Sequence, residues 1–256
     1  GRRADDNSFY IYLGGLIGGG WGAKHNGDGM SATIAINDGD THNGPSEQVE
    51  AKYPLLVERY TLRPDSGGAG RFRGGLGTEQ VVQALNEIRF SSQMDRVKCK
   101  PWGLEGGHSG LGNSVALHRY GHSDETHFPN GKALNQVLKP GDAYILRSGG
   151  GGGFGSPLAR GVDTLEHDVR CGYVTRDAAE DVYGAVFGDD GAIDPAATAA
   201  KRADMKSRGL PVDQPIAETI APFPFAAEAV GPSSVGAEKL SEEERIALAM
   251  NCRCCS

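Results

Sequence analysis

The chain has 256 residues and a formal net charge of −7, which allows one large domain or two small ones with a sizeable core. No dense Lys/Arg run marks a nucleic-acid binder, and no apolar run reaches the roughly 18 residues of a membrane helix. The start, GRRADDNSFY, has no Met and no apolar core of a signal peptide, so the expectation is a processed chain or a piece of something longer.

In chain order, residues 8–13 (SFYIYL) form a β-prone run that ends at Gly14-Gly15, and residues 30–36 (MSATIAI) alternate as a second strand would. Leu55 to Leu62 is a third candidate, with Val57 and Tyr60 as strand formers. Residues 79–85 and 87–90 read as a strand pair separated by Asn86. Residues 113–120 and 143–146 add two more strands. After Arg160 the spacing turns helical, over 163–170 and 177–182. Asp194, Pro195 and Gly209 then supply an N-cap, a first helical position and a stop for an exposed helix carrying Lys201, Arg202, Lys206 and Arg208. Residues 210–235 hold five prolines and read as an extended arm. Ser241 with Glu244 is a capping box that opens a last short helix to about Met250. The fold class is α+β: a glycine-rich, mainly β part over 1–160, a helical segment packed on it over 161–209, and an arm with a Cys-rich tail over 210–256.

The 39 glycines are about twice the usual share of about 7 % and stand in clusters beside the strand-like runs. They imply many tight turns and close backbone approaches. Residues 148–155, SGGGGGFG, lack the Lys and Ser/Thr of a phosphate loop, and Ser156-Pro157 follows in place of a helix start. The chain itself therefore carries no ATP site, and a hairpin or close backbone contact is the reading. Residues 64–70, PDSGGAG, match the segment around a trypsin-like nucleophile, but only 65 residues precede Ser66 and no upstream His and Asp complete a triad. A turn remains, in which Asp65 and Ser66 cap local amides while Gly67 and Gly68 take positive φ.

Other constellations keep two readings each. Glu47 and Glu50 share a face of one helical turn and could hold a metal, or form a solvated acidic turn. His25 and Asp28 could line a site or belong to a polar loop. Arg71 and Arg73 lie on one side of an extended run and could clamp a carboxylate or phosphate, or be surface arginines. Cys252, Cys254 and Cys255 could bind zinc with a fourth ligand from a partner, or be free thiols on a frayed tail. With Cys99 and Cys171 the cysteines number five, which is no disulfide framework, so a reducing cytoplasm is expected.

Six blocks stand in order: GGGWGAKHNGDG, NGPSEQVEAKYP, PDSGGAGRFRGGLG, PWGLEGG, GDAYILRSGGGGGFGSPLAR and HDVRCGYVTRDAAEDVYGAVFG. From about residue 7 to residue 190 the chain resembles the C-terminal half of hydantoinase B subunits. That family includes N-methylhydantoinase, 5-oxoprolinase, caprolactamase, and acetone and acetophenone carboxylases. The resemblance implies an A-type partner that binds ATP and Mg and forms a phosphorylated intermediate, while the B-type subunit completes ring opening or carboxylation. It also implies a divalent metal, Zn or Mn, held by the His- and Asp-rich N-terminal half of longer B subunits. That half is missing here, so a separate chain is expected to supply it, or the chain is a split or clipped subunit. Arg71, Arg73, Asp65, Ser66, Glu47, Glu50, His25 and Asp28 are the pocket candidates on this chain.

Overall fold

A computed structural model describes residues 1–3, 5–14, 17–34, 44–211 and 213, all within the unit Gly1–Ala221. Five antiparallel strands form the main sheet: β1 (Leu55–Leu62), β2 (Thr78–Ala84), β4 (Ser114–His118), β5 (Glu125–His127) and β7 (Ala143–Arg147), in the order β1-β2-β7-β4-β5. Their β-branched and aromatic content favours this arrangement. Central β7 is buried at all five positions, its apolar run Ala143–Leu146 as expected of a strand covered on both faces. Two further strands, β3 (Ile88–Gln93) and β6 (Lys132–Leu138), pair only with each other among the described strands. Ile88, Phe90, Ala133 and Leu138 of this ribbon join Val82, Ala84, Val115, Leu117, Tyr144 and Leu146 of the sheet in one core. Within it the Phe90 and Tyr144 rings stack at 4.6 Å. A short helix, α1 (Ser46–Lys52), precedes β1 and adds Val49 to the same core.

The strand pair expected at 79–85 and 87–90 exists as two strands, but they are not partners. β2 lies between β1 and β7, and β3 leaves that sheet to join β6. The expected strand at 8–13 does not form: Phe9 makes an isolated bridge to Arg2, and Tyr10 exchanges hydrogen bonds with Gly1 at 3.0 and 3.1 Å. Residues 30–34 are not a strand either, because they bond to different neighbours in turn. Trp21 donates to the Met30 carbonyl and Ala32 to that of Leu76, each at 2.9 Å. Residues 35 and 36 lie outside the described residues.

The second region is built of main chain. Residues 149–153 run between segments 19–23, 66–77 and 102–111. A Cβ on Gly150 would overlap the Ser66 carbonyl, on Gly151 that of Trp21, on Gly152 that of Trp102, and on Gly153 that of Ala69. Successive residues thus face three neighbours in turn, and the fourth returns to the first. Three residues per turn is the period of a polyproline-II-type helix, which makes no hydrogen bonds within itself. The bonds go to neighbours: Gly68 donates to Gly151 at 2.8 Å, Gly151 to Gly75 at 2.9 Å, Gly153 to His108 at 2.9 Å, and Gly20 to Gly149 at 2.9 Å. Glycine is required where these backbones touch.

Helices α2 (Val162–Arg170), α3 (Arg176–Asp181) and α4 (Pro195–Ser207) follow, as the spacing predicts. Asp194 Oδ1 accepts from the Ala196 and Ala197 amides at 2.8 and 3.0 Å, and Gly209 follows the helix at φ +68°. α4 is not simply exposed: Thr198 and Met205 are buried, and Arg202 turns inward to donate to the Tyr183 and Arg160 carbonyls, both at 2.8 Å. Leu165, Val174, Ala179, Tyr183 and Ile193 form a second core with Ala69 of the glycine region. No helix among the described residues is long and apolar enough to cross a membrane. The arm beyond residue 213, the Ser241–Glu244 box and Cys252, Cys254 and Cys255 lie outside the described residues.

Candidate functional site

The glycine segments and the first turns of the helical region meet at a buried group of charges. Arg160, which ends the glycine-rich block, donates from Nη1 and Nη2 to both Asp28 oxygens at 2.8 and 2.7 Å. Its Nε and Nη2 also donate to Asp168 Oδ2 at 3.0 and 2.6 Å. Arg73 approaches the same oxygen from its Nε at 3.4 Å and donates from Nη1 to the Gly74 carbonyl at 2.7 Å. The Arg73 amide donates to Asp28 at 2.8 Å. Arg160, Asp168 and Arg73 are almost wholly buried. Two guanidinium groups against two carboxylates leave the cluster neutral, the condition under which buried charge is tolerated.

Burial pushes the Asp28 carboxyl up, but hydrogen bonds and charge from Arg160, with help from Arg73, outweigh it and hold the group below the ordinary carboxylate range. Burial likewise disfavours the Arg160 charge, and Asp28 and Asp168 more than compensate. Nearby, burial raises the Tyr183 hydroxyl. Burial also raises Asp65, although Thr175 bonds pull the other way. His108 is lowered by burial against the opposing pull of Asp213 and the Pro211 backbone.

The sequence candidates are placed as follows. Arg71 and Arg73 do not share a side. Arg71 is exposed beside Phe72, 5.3 Å from its ring centroid, whereas Arg73 is buried against Asp168. A two-guanidinium clamp is therefore not present, because Arg73 is held in the buried charge cluster while Arg71 stays on the surface. Asp65 and Ser66 do not cap local amides. Asp65 Oδ1 accepts from Thr175 at 2.9 Å, while Ser66 Oγ donates to Arg63 at 2.6 Å and accepts from Gly77 at 2.9 Å. The residue at positive φ is Asp65 (+56°), and Gly67 and Gly68 serve close approach to Gly74 and His108 instead. Glu47 and Glu50 are exposed on α1, and Glu50 accepts from the Val57 amide at 2.9 Å. His25 is exposed, apart from the Asp28 cluster. Among the described residues no group of three or more His, Cys, Asp and Glu could hold a metal.

Sequence reasoning missed Arg160 and Asp168. The available signal was a charged residue at the end of the glycine block and another in the helix that follows, each on the side its helix or turn buries. It also missed Arg147, which is buried in β7 and paired with Glu79 and with both oxygens of Glu125 at 2.9 and 3.0 Å.

A second feature is a cleft of about 760 Å³ on the other side of the sheet core. One wall is residues 9–12, the other is β3, and Leu55, Tyr144 and Leu146 lie at its base. Its base is apolar while Arg2, Glu87, Arg89, Ser91, Ser92 and Gln93 line its rim, and the buried Tyr10 hydroxyl beside it has no hydrogen-bond partner among the described residues. The geometry thus offers fixed main chain, a saturated charge cluster and a cleft with an apolar base, and at the exposed end of α2 Cys171 Sγ lies 3.6 Å from His167 Nε2.

This arrangement has counterparts. Residues 1–157 match the family model Hydantoinase B/oxoprolinase. The chain is 31 % identical over 189 residues to the B-type subunit of a putative D-/L-hydantoinase of Pseudomonas sp. (strain NS671), covering 74 % of this chain and 31 % of that protein. A nucleotide-free structure of acetone carboxylase superposes with a TM-score of 0.64 at 27 % identity, over 78 % of this chain and 31 % of that one. The ATP-dependent caprolactamase of Pseudomonas jessenii superposes with a TM-score of 0.59 at 32 % identity, over 72 % and 32 %. The α+β fold and the order of its glycine blocks are therefore those of a family, and the chain belongs to the hydantoinase B/oxoprolinase family. It spans about a third of the length of these relatives.

Proposed function

We propose that the chain is the C-terminal part of the B-type subunit of an ATP-dependent multi-subunit enzyme that opens a lactam, hydantoin or oxoproline ring. In this reading an A-type partner binds ATP and Mg and forms the phosphorylated intermediate, and a chain supplying the N-terminal half of the B-type subunit holds the divalent metal, Zn or Mn. The described residues of this chain do not fit a metal, and none is assigned to them. The chain works within the complex and not alone. The observation that carries the reading is the match of residues 1–157 together with likeness to a hydantoinase and a caprolactamase.

The part played by this chain is to hold the walls of a dry site at fixed spacing. Acyl-phosphate and activated carbonyl intermediates need water excluded and donors already aimed, and a lattice of hydrogen-bonded glycine backbone resists rearrangement. Arg71, exposed beside that lattice, is free to meet an anionic intermediate, whereas Arg73 is committed to Asp168.

The test is ATP consumption by the complete complex with 5-oxoproline, a hydantoin, caprolactam, or acetone with and without bicarbonate, with every product identified. ATP-coupled ring opening is expected, and Arg71→Ala is expected to reduce it while the complex stays assembled. Turnover that survives Arg71→Ala intact removes that residue from the site and favours a scaffold role. The second reading, a ketone carboxylase, is favoured by the superposition on acetone carboxylase. Bicarbonate-dependent formation of a β-keto acid would establish it, and no ATP-coupled turnover with any substrate would sink both.

A further inference from the structure

We infer that the cleft between residues 9–12 and the edge of β3 that no described strand pairs is the seat of an additional β-strand, supplied by the part of the B-type polypeptide outside these 256 residues. The inference rests on the B-type reading above and extends it to a defined interface. Four observations carry it.

First, β3 bonds to β6 along one edge, and no described strand pairs with the other. Residues 87–94 line the cleft along the whole of that strand. An unpaired edge presents a row of amides and carbonyls ready for another strand. Second, residues 9–13 alternate. Tyr10 is 8 % exposed and Tyr12 packs against the core, whereas Phe9, Ile11 and Leu13 are 67 %, 65 % and 95 % exposed. Apolar residues on both faces at a period of two describe a strand buried from both sides, and here one side is uncovered. Third, Ile11, Tyr12 and Leu13 make no backbone hydrogen bond to any described residue. The beginning of this run pairs with residues 1–3, but its continuation has no ladder. Fourth, the chain spans about a third of its relatives, so most of a B-type polypeptide is left to supply the missing strand.

These observations also explain why residues 8–13 read as a strand yet form none: the sequence is patterned for a sheet whose next member is elsewhere. Strand addition supplies main-chain bonds to β3 and side chains for the apolar base of the cleft, the mode by which extended segments join open sheets.

The experiment compares hydrogen exchange in residues 1–256 alone with exchange in the complete B-type subunit, whether that is one polypeptide or two. Amides of 9–13 and 88–93 are expected to slow by at least about tenfold in the complete subunit. Ile11→Lys and Leu13→Lys, on side chains already exposed, are expected to leave the isolated chain folded by circular dichroism and to weaken association with the rest of the subunit by at least about tenfold. Leu134→Lys, exposed on β6, is expected to leave it unchanged. Association without slowing at 9–13 and 88–93, or insensitive to both lysines, overturns the docking site while the family reading stands. Slowing that appears in the isolated chain in proportion to its dimerisation assigns the cleft to a second copy and also overturns it. A complete complex that turns over with ATP but contains no other B-type polypeptide removes the occupant itself, and with it the B-type reading.

Discussion

The glycine region and the five-stranded sheet sit side by side in one chain, yet they are held by opposite means. In the sheet the backbone ladder is generic, and Val82, Leu117 and Tyr144 decide which strands pack where. Along residues 149–153 there are no side chains to choose, and specificity lies in how closely one carbonyl approaches the next residue's Cα. The sheet is damaged by removing atoms and the glycine region by adding them. Arg160, Asp168, Asp28 and Arg73 occupy the junction between that glycine region and the helices.

The junction is expected to give the largest effect. Asp168→Ala leaves Arg160 and Arg73 buried without their shared carboxylate and should cost about 3–5 kcal/mol in denaturant unfolding. A loss below about 1 kcal/mol would mean that Asp28 alone suffices. On the sheet side, Leu117→Ala should cost about 2–5 kcal/mol through lost burial and a cavity. On the glycine side, Gly151→Ala should cost about 3 kcal/mol, the upper end for overpacking, because the added methyl meets main chain that cannot rotate away. A neutral Gly151→Ala would break the comparison outright. At the periphery, Asp194→Ala removes two amide bonds at the start of α4 and should cost about 1 kcal/mol.

The smallest effect separates the regions by pH. The Asp28 pKa in the folded chain lies below the unfolded value of about 3.9. Its ionised form therefore stabilises above that value, and the contribution is lost as pH falls through the lower, folded pKa. Acid should free the Arg73 amide, which donates to Asp28, before the amides of residues 149–153, and Asp28→Asn should abolish that order. Amide exchange at falling pH reads both.

Much of the sheet and helical region is legible in the sequence because local rules govern it. Leu55–Leu62 carries the strand formers Val57 and Tyr60, and Asp194-Pro195 with Gly209 marks α4 by capping chemistry alone. β5 and β6 are not legible. β5 is three residues long, and β6 carries Asn135 at φ +50° beside an irregular register, which breaks the period of two. The partnering of β3 with β6, and not β2, is a tertiary choice that hydropathy does not encode. The site is less legible than the fold. Strand periodicity puts Arg71 and Arg73 together, whereas in the folded chain one faces outward and the other enters the charge cluster. Asp28 stands close to His25 in sequence, but its partner Arg160 lies 132 residues away.

The run Gly149–Gly153 has a consequence at the level of the gene. Every glycine codon begins GG, and any change at either of those bases replaces glycine with a residue that carries a side chain or ends translation. Where each Cβ would strike a neighbouring carbonyl, no such change is conservative. Third-base changes are silent, so nucleotide variation in this stretch should be confined almost wholly to synonymous positions. The lattice is thus among the least evolvable parts of the chain despite having almost no side chains, and laboratory diversification should leave these codons fixed and vary exposed positions beside them, such as Arg71.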